Sequence, residues 1–132
     1  MNKLDRDKLA TIVFAAFRII AGVMFMCHGM QKLFGVLTDH QPPVGSQLWI
    51  GGVVELVAGG LIALGLFARP AAFIASGQMA VAYFQFHAHL DARLLPIANG
   101  GDDTVLYCFL FLWISVRGAG PASLDHSIRN VT

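Results

Sequence analysis

Long apolar stretches are the feature of this sequence that most constrains its fold. The stretches at about 9–29 and 48–67 both approach the ~20 residues that a helix needs to cross a bilayer. The segments at about 70–88 and 103–117 are less apolar, and we interpret them as two further spans. Only 13% of the residues are charged, whereas a soluble domain usually carries about 25%. The sequence therefore predicts an all-α, integral membrane four-helix bundle that forms one domain over residues 1–132.

Proline and glycine separate the apolar stretches from one another. Pro42 and Pro43 prevent a helix in the first polar loop. The turn signal Asn99-Gly100-Gly101 precedes the fourth helix, which Asp102 or Asp103 is expected to cap. These breaks place all four predicted helices between short, polar connections.

Basic residues in the connections predict the orientation of the chain in the membrane. On the side that holds the N-terminus, the sequence has Lys3, Arg6, Lys8, Arg69, Arg117 and Arg129. The other side has Lys32 and Arg93. Because cytoplasmic loops carry an excess of Lys and Arg, this distribution predicts that both termini are cytoplasmic.

Charge and cysteine content argue against several classes of function. The net charge of +1 does not indicate a nucleic-acid partner. Cys27 and Cys108 form no C-x-x-C pair, and we interpret both as apolar filler. No His, Cys or carboxylate spacing typical of a metal site is present, so we predict no metal.

Two charged residues lie inside the apolar stretches, where an unpaired charge costs about 2.5–3.5 kcal/mol. Arg18 and Glu55 each share a helix face with small residues, which allow helices to approach closely. We therefore expect both side chains to point inward and Arg18 to contact Glu55. This pair either contributes to a site or only holds the first helix against the second.

A second polar group is predicted at the outer ends of the first and third helices. It consists of His28, Lys32, Tyr83, His87 and His89, with Glu55 just below. Together these side chains could bind a proton, a metal or a polar head group, and nearby aromatic rings could pack a quinone ring. The alternative is that each histidine is an ordinary interfacial side chain and each aromatic residue belongs to the core or faces lipid.

Several ordered motifs resemble those of a known family. They are Arg18 and Gly22, His28-Gly29-x-x-Lys32-Leu33-Phe34-Gly35, Gly51-Gly52-x-x-Glu55, Gly65-Leu66-x-x-Arg69, Ala82-Tyr83-Phe84 with His87, Pro96-x-x-Asn99-Gly100-Gly101, and Ser123-Leu124-Asp125. In their order and spacing they resemble the DoxX family of small bacterial and archaeal membrane proteins. The resemblance implies a four-helix membrane bundle, and it singles out Arg18, His28, Lys32, Glu55, His87 and Asn99. Family members often have Glu after Asn-Gly-Gly, whereas this chain has the shorter Asp102.

The resemblance also suggests what the chain does. The family is named for a subunit of an archaeal thiosulfate:quinone oxidoreductase, and some relatives are associated with redox and oxidative-stress complexes. This implies a multi-pass subunit of a redox complex in the bacterial cytoplasmic (inner) membrane, with the bilayer, other subunits or further copies of itself as partners and quinone as a possible cofactor. Whether the chain is itself an enzyme stays open. The alternatives are a module that binds or transports a small solute or lipid, and a structural assembly subunit without chemistry.

Overall fold

The computed structural model describes residues 2–88 and 94–130, and within these ranges the chain is helical, without strands. The elements are α1 (Lys3–Phe34), α2 (Gln47–Leu64), α3 (Ala68–Ala82), a π-helix (Tyr83–His87), α4 (Pro96–Asn99), α5 (Asp102–Arg117) and α6 (Leu124–Arg129). The predicted residues His89 and Arg93 lie outside the described residues. The all-helical prediction is confirmed for the part of the chain that is described.

The ends of α1 and α2 follow local capping chemistry. The predicted capping of α5 by Asp102 or Asp103 is wrong, because both residues lie inside the helix and Gly101 occupies the N-cap position without a side-chain hydrogen bond. The Asn2 side chain accepts a hydrogen bond from the Asp5 N–H at the start of α1, and the Ser46 hydroxyl accepts one from the Trp49 N–H at the start of α2. Gly35 and Gly65 adopt the left-handed conformation, with φ of 66° and 68°, and end these helices. α1 extends beyond the predicted 9–29 at both ends because the polar residues there are also good helix formers.

Two helices in the described part of the chain, α1 and α2, are long and apolar enough to cross a membrane. Large apolar side chains cover the outer surface of the helices. Examples that are at least half exposed are Ile12, Ile20, Met24, Phe73, Ile74, Phe84, Leu106 and Phe109. An apolar surface of this extent is typical of a protein that contacts lipid.

Glycine allows α1 and α2 to pack antiparallel with their backbones in contact. A Cβ atom added to Gly22 would lie 2.6 Å from the Ala63 nitrogen, and one added to Gly29 would lie 2.4 Å from the Leu56 nitrogen. A Cβ atom on Gly59, across the interface, would lie 2.6 Å from the Met26 nitrogen. The small-residue faces predicted from the sequence therefore do meet at a close helix crossing.

The remaining long helices surround an alanine-rich, aromatic core. α3 packs against α2 and α5. On α1, Phe14 and Phe25 contact Trp113 and Phe111 of α5, with ring centroids 5.2 and 4.7 Å apart. The buried core residues are Phe14, Ala21, Phe25, Ala58, Ile62, Ala71, Ala72, Ala75, Met79, Phe111 and Ile114. This packing brings one end of each long helix to a common polar region.

The C-terminal segment folds back onto the turn between α2 and α3. The Asp125 carboxylate accepts hydrogen bonds from the Phe67 N–H at 2.9 Å and the Ala68 N–H at 3.1 Å. It therefore satisfies the first N–H groups of α3, where Phe67 itself has no capping side chain. The Asp125 N–H in turn donates to the Gly65 carbonyl at 2.9 Å.

Candidate functional site

A cavity of about 320 Å³ lies where α1 ends, α2 and α5 begin, and α3 passes into the π-helix. Apolar and aromatic side chains form much of its wall, among them Phe25, Met79 and Phe86. Its polar wall includes His28, Lys32, Glu55, Gln78, His87, Thr104 and Tyr107. We call this space the Glu55 cavity. An apolar pocket with a few converging polar groups is the usual form of a small-molecule site.

The centre of the cavity is an ion pair between α1 and α2. The Lys32 Nζ donates to the Glu55 Oε1 at 2.5 Å. Glu55 is only 2% exposed, whereas the Lys32 side chain is 31% exposed. The cation therefore lies at the mouth of the cavity and the carboxylate lies below it.

Gln78 of α3 adds a neutral donor to the same carboxylate oxygen. Its Nε2 donates to the Glu55 Oε1 at 3.1 Å and to the Gly51 carbonyl at 3.1 Å. Among the described residues, the buried Glu55 Oε2 and Gln78 Oε1 have no hydrogen-bond partner. Buried polar atoms are normally paired, so these two acceptors are available to a donor inside the cavity.

Arg18 does not contact Glu55, so the predicted pair is wrong. The Arg18 guanidinium is buried and donates to the Ile62, Ala63 and Ala122 carbonyls at 2.6, 2.7 and 2.6 Å. The first two lie at the C-terminal end of α2, where backbone carbonyls lack helical partners. These carbonyls are seven and eight residues beyond Glu55, about 11 Å along the helix axis. Arg18 therefore joins α1, α2 and the C-terminal segment away from the cavity.

The predicted residues Tyr83, His87 and Asn99 form a hydrogen-bonded group around the π-helix. The Tyr83 hydroxyl donates to the Leu94 carbonyl at 2.7 Å and accepts from the Asn99 Nδ2 at 3.2 Å. The His87 Nδ1 lies 3.3 Å from the Asn99 carbonyl, and its Nε2 lies 3.5 Å from the Thr104 hydroxyl. Tyr83 and Asn99 thus hold the loop before α5, whereas His87 also faces the cavity. π-Helices often occur at functional sites because they redirect side chains.

The histidine cluster expected from the sequence is only partly assembled. His28 is exposed at the cavity wall, with its ring centroid 6.3 Å from that of Tyr107. His87 lines the same cavity. Asp102 is exposed and does not line the cavity, whereas its neighbour Asp103 does. In the described ranges, no three His, Cys, Asp or Glu residues are grouped so that they could hold a metal ion.

Sequence reasoning missed the role of Gln78 and the contribution of Thr104 to the cavity. A signal for Gln78 was present, because Gln78 and Gln85 are seven residues apart on one face of an otherwise apolar helix. Both residues line the cavity, and the Gln47 amide donates to the Gln85 amide oxygen at its edge. No comparable sequence pattern marked Thr104, which lies in the first turn of α5 and lines the cavity.

Comparison with known proteins decides the family. The family model described as DoxX matches residues 13–88, which is more than half of the chain. The chain belongs to the DoxX family. It is accordingly a DoxX-family membrane protein that contacts the lipid bilayer, with α1 and α2 suited to cross it. The match includes Arg18, His28, Lys32, Glu55, Tyr83 and His87, whereas His89 and Asn99 lie beyond it.

A relative of this DoxX-family protein occurs in Haemophilus influenzae. The two are 40% identical over 131 residues, which cover 96% of each chain, and the relative is described as an uncharacterized protein. No solved structure matches the chain significantly. The comparisons therefore identify the family, and an argument about function must start from the cavity.

Proposed function

We propose that this DoxX-family protein binds a membrane-soluble ligand with a polar head group in the Glu55 cavity. In this proposal it serves as a non-catalytic membrane subunit of a redox complex, and its ligand is quinone, which donates hydrogen bonds in its reduced quinol form. The observation that carries the proposal is the pair of buried, unpartnered acceptors, Glu55 Oε2 and Gln78 Oε1, beside the Lys32 cation. A head group that donates hydrogen bonds to these acceptors would offset the cost of their burial.

The shape and composition of the cavity support a ligand with an aromatic head. Phe25 and Tyr107 both line the cavity, and their ring centroids are 5.6 Å apart. A quinol ring packed on these side chains would carry its hydroxyl groups towards Glu55 and Gln78, and a quinone carbonyl would accept from Lys32. This arrangement supports binding and orientation, and it assigns no chemical step to the chain itself.

The proposal includes four spans in the bacterial cytoplasmic membrane, with both termini in the cytoplasm. α3 and the π-helix contain fifteen and five residues in one continuous helical segment, and α5 contains sixteen. At about 1.5 Å per residue, α5 extends about 24 Å, which is short for a hydrocarbon core of about 30 Å. Local thinning of the bilayer around α5 accommodates this difference.

A second candidate function is the binding of a small water-soluble molecule without redox chemistry. The exposed part of Lys32 and the Gln47–Gln85 pair give the cavity a polar mouth. A solute entering from water would meet these groups before it reached Glu55. The two candidates differ in whether the ligand needs a membrane-soluble tail.

Thermal unfolding of the detergent-purified protein distinguishes the two candidates. We expect decylubiquinol to raise the melting temperature by several degrees, because a ligand that binds only the folded state stabilises it. The Gln78→Leu variant should lose at least half of this shift, since it removes one acceptor. Gln31→Leu is the matched control. It makes the same substitution at the end of α1 that borders the cavity, but Gln31 does not line the cavity.

Other outcomes of this experiment have defined meanings. An equal shift in wild type, Gln78→Leu and a 1-decanol control would contradict head-group recognition in the cavity. A Gln78-dependent shift with tail-free hydroquinone, but not with decylubiquinol, would support the second candidate.

Co-purification tests the redox-complex role. Quinone-dependent oxidoreductase activity should co-purify with the chain from its native membrane. Activity that persists after deletion of the chain would contradict that role.

A further inference from the structure

A second groove lies at the opposite end of the helices from the Glu55 cavity. It has a volume of about 490 Å³ and separates the α2–α3 turn from the chain between α5 and α6. Arg69, Arg117, His126 and Arg129 contribute basic side chains to its wall. Its acidic residue is Asp125, whose two carboxylate oxygens already accept the Phe67 and Ala68 N–H groups. We call it the arginine groove.

Two arginines in this groove have no carboxylate partner within residues 2–88 and 94–130. The Arg69 Nη2 makes a long, 3.5 Å hydrogen bond to the Arg117 carbonyl. The Arg117 guanidinium packs over the Phe14 ring, with its carbon 3.8 Å from the ring centroid. Both side chains are exposed, so their charges and most of their donors remain accessible. Both guanidinium groups line the groove, and guanidinium groups are well suited to bind a phosphate group.

The surroundings of the groove favour a lipid over a free anion. Phe67, on the groove wall, is 64% exposed. Phe73 is 65% exposed and lies four residues after Arg69, about one turn along the same face of α3. A free phosphate would use only the arginines, whereas a phospholipid would also cover these apolar side chains. Basic pockets at the ends of membrane helices commonly bind anionic head groups.

We infer that the arginine groove binds the phosphodiester of an anionic phospholipid between Arg69 and Arg117, with the acyl chains against Phe67 and Phe73. The groove shares no lining residue with the Glu55 cavity. The inference therefore does not depend on the ligand of that cavity. A lipid bound in this way covers the α2–α3 turn and the end of α5.

The test measures the melting temperature of the full chain in a neutral detergent with added lipid. Dioleoylphosphatidylglycerol should raise it, while dioleoylphosphatidylcholine at the same concentration should have less than half the effect. Arg69→Gln should lose at least half of the phosphatidylglycerol shift. This variant is expected to fold, because Arg69 is exposed and makes only one long hydrogen bond. Arg6→Gln makes the same charge change on the exposed start of α1 and should keep the full shift.

Native mass spectrometry of the same samples provides a second measurement. Wild type and Arg6→Gln should retain phosphatidylglycerol adducts that Arg69→Gln loses. Equal stabilisation by both lipids, or equal phosphatidylglycerol retention in Arg69→Gln, would overturn the inference. Stabilisation by sodium phosphate that equals the effect of phosphatidylglycerol would assign the groove to free phosphate instead of lipid.

Discussion

At the scale of single residues, the pairing of Lys32 with Glu55 organises the Glu55 cavity. Glu55 is almost completely buried, and a buried carboxylate without a cation is strongly unfavourable. Lys32 reaches it from the end of α1, and Gln78 donates to the same oxygen from α3. The pair therefore holds three helices at one point while it leaves the second carboxylate oxygen unpartnered.

A double-mutant cycle tests this pair. Lys32→Met should lower the free energy of unfolding by about 3 kcal/mol, because it leaves the Glu55 carboxylate buried without its cation. Glu55→Gln should lower the free energy of unfolding by a smaller amount, because the partly exposed Lys32 side chain can turn towards water. The double variant should be more stable than Lys32→Met alone. Denaturant titration in mixed micelles measures these values, and strictly additive effects would contradict the pair.

Arg18 shows why the type of a buried residue does not identify its partner. Its long side chain and several donors suit any cluster of acceptors, and the nearest cluster is the carbonyl end of α2. A carboxylate was the expected partner because opposite charges attract. The carbonyls of a helix end also attract a cation, and those of Ile62 and Ala63 lie within hydrogen-bond distance of Arg18.

At the scale of elements, glycine sets the distance between α1 and α2. The Cβ positions of Gly22, Gly29 and Gly59 fall within 2.6 Å of backbone nitrogen atoms on the other helix. Backbone atoms cannot move aside as a flexible side chain can. The two helices therefore tolerate only glycine at these positions while they keep their present separation.

The contrast between Gly22 and Gly77 tests this explanation. Gly22→Ala should lower the free energy of unfolding by about 1–3 kcal/mol, because the added methyl group forces the helices apart. Gly77→Ala, on α3, should be neutral or stabilising by up to about 1 kcal/mol, because nothing lies within 4 Å of the new Cβ and alanine favours helix. Thermal or denaturant unfolding in detergent compares the two. Equal effects would contradict a backbone contact between α1 and α2.

At the scale of the whole molecule, the chain separates a ligand cavity from a basic end. The Glu55 cavity lies where α1 ends, whereas the arginine groove lies where α2 ends and α3 begins. Apolar side chains cover the helices between these two ends. This separation of polar groups along the helix axes supports the proposed transmembrane orientation, with the basic end in the cytoplasm.

Cysteine labelling tests that orientation. With Cys27 and Cys108 replaced by alanine, Asp39→Cys in the α1–α2 loop should react with a membrane-impermeant maleimide in intact spheroplasts. Ser127→Cys in α6 should react only after lysis, because we propose that the C-terminus is cytoplasmic. Both residues are exposed, so accessibility within the protein does not limit labelling. Labelling of Ser127→Cys in intact spheroplasts would show that the orientation is inverted.

Local patterns in the sequence were enough to predict the long helices, their contact with lipid and the family. Apolar stretches, capping residues and glycine turns act within a few residues, so they can be recognised without knowledge of the fold. Four of the predicted site residues also line one cavity: His28, Lys32, Glu55 and His87. Their common position near one end of the helices could be inferred from the antiparallel order of the predicted helices.

Only the tertiary structure decided which polar groups meet. A shift of one helical turn, about 5.4 Å, changes which residue on α1 faces Glu55. That register depends on the close glycine contact between α1 and α2, which hydropathy does not specify. For the same reason, the contact of Gln78 with Glu55 and the capping of α3 by Asp125 could not be predicted from the sequence. Both join residues that are distant in the chain, and packing of the whole molecule brings them together.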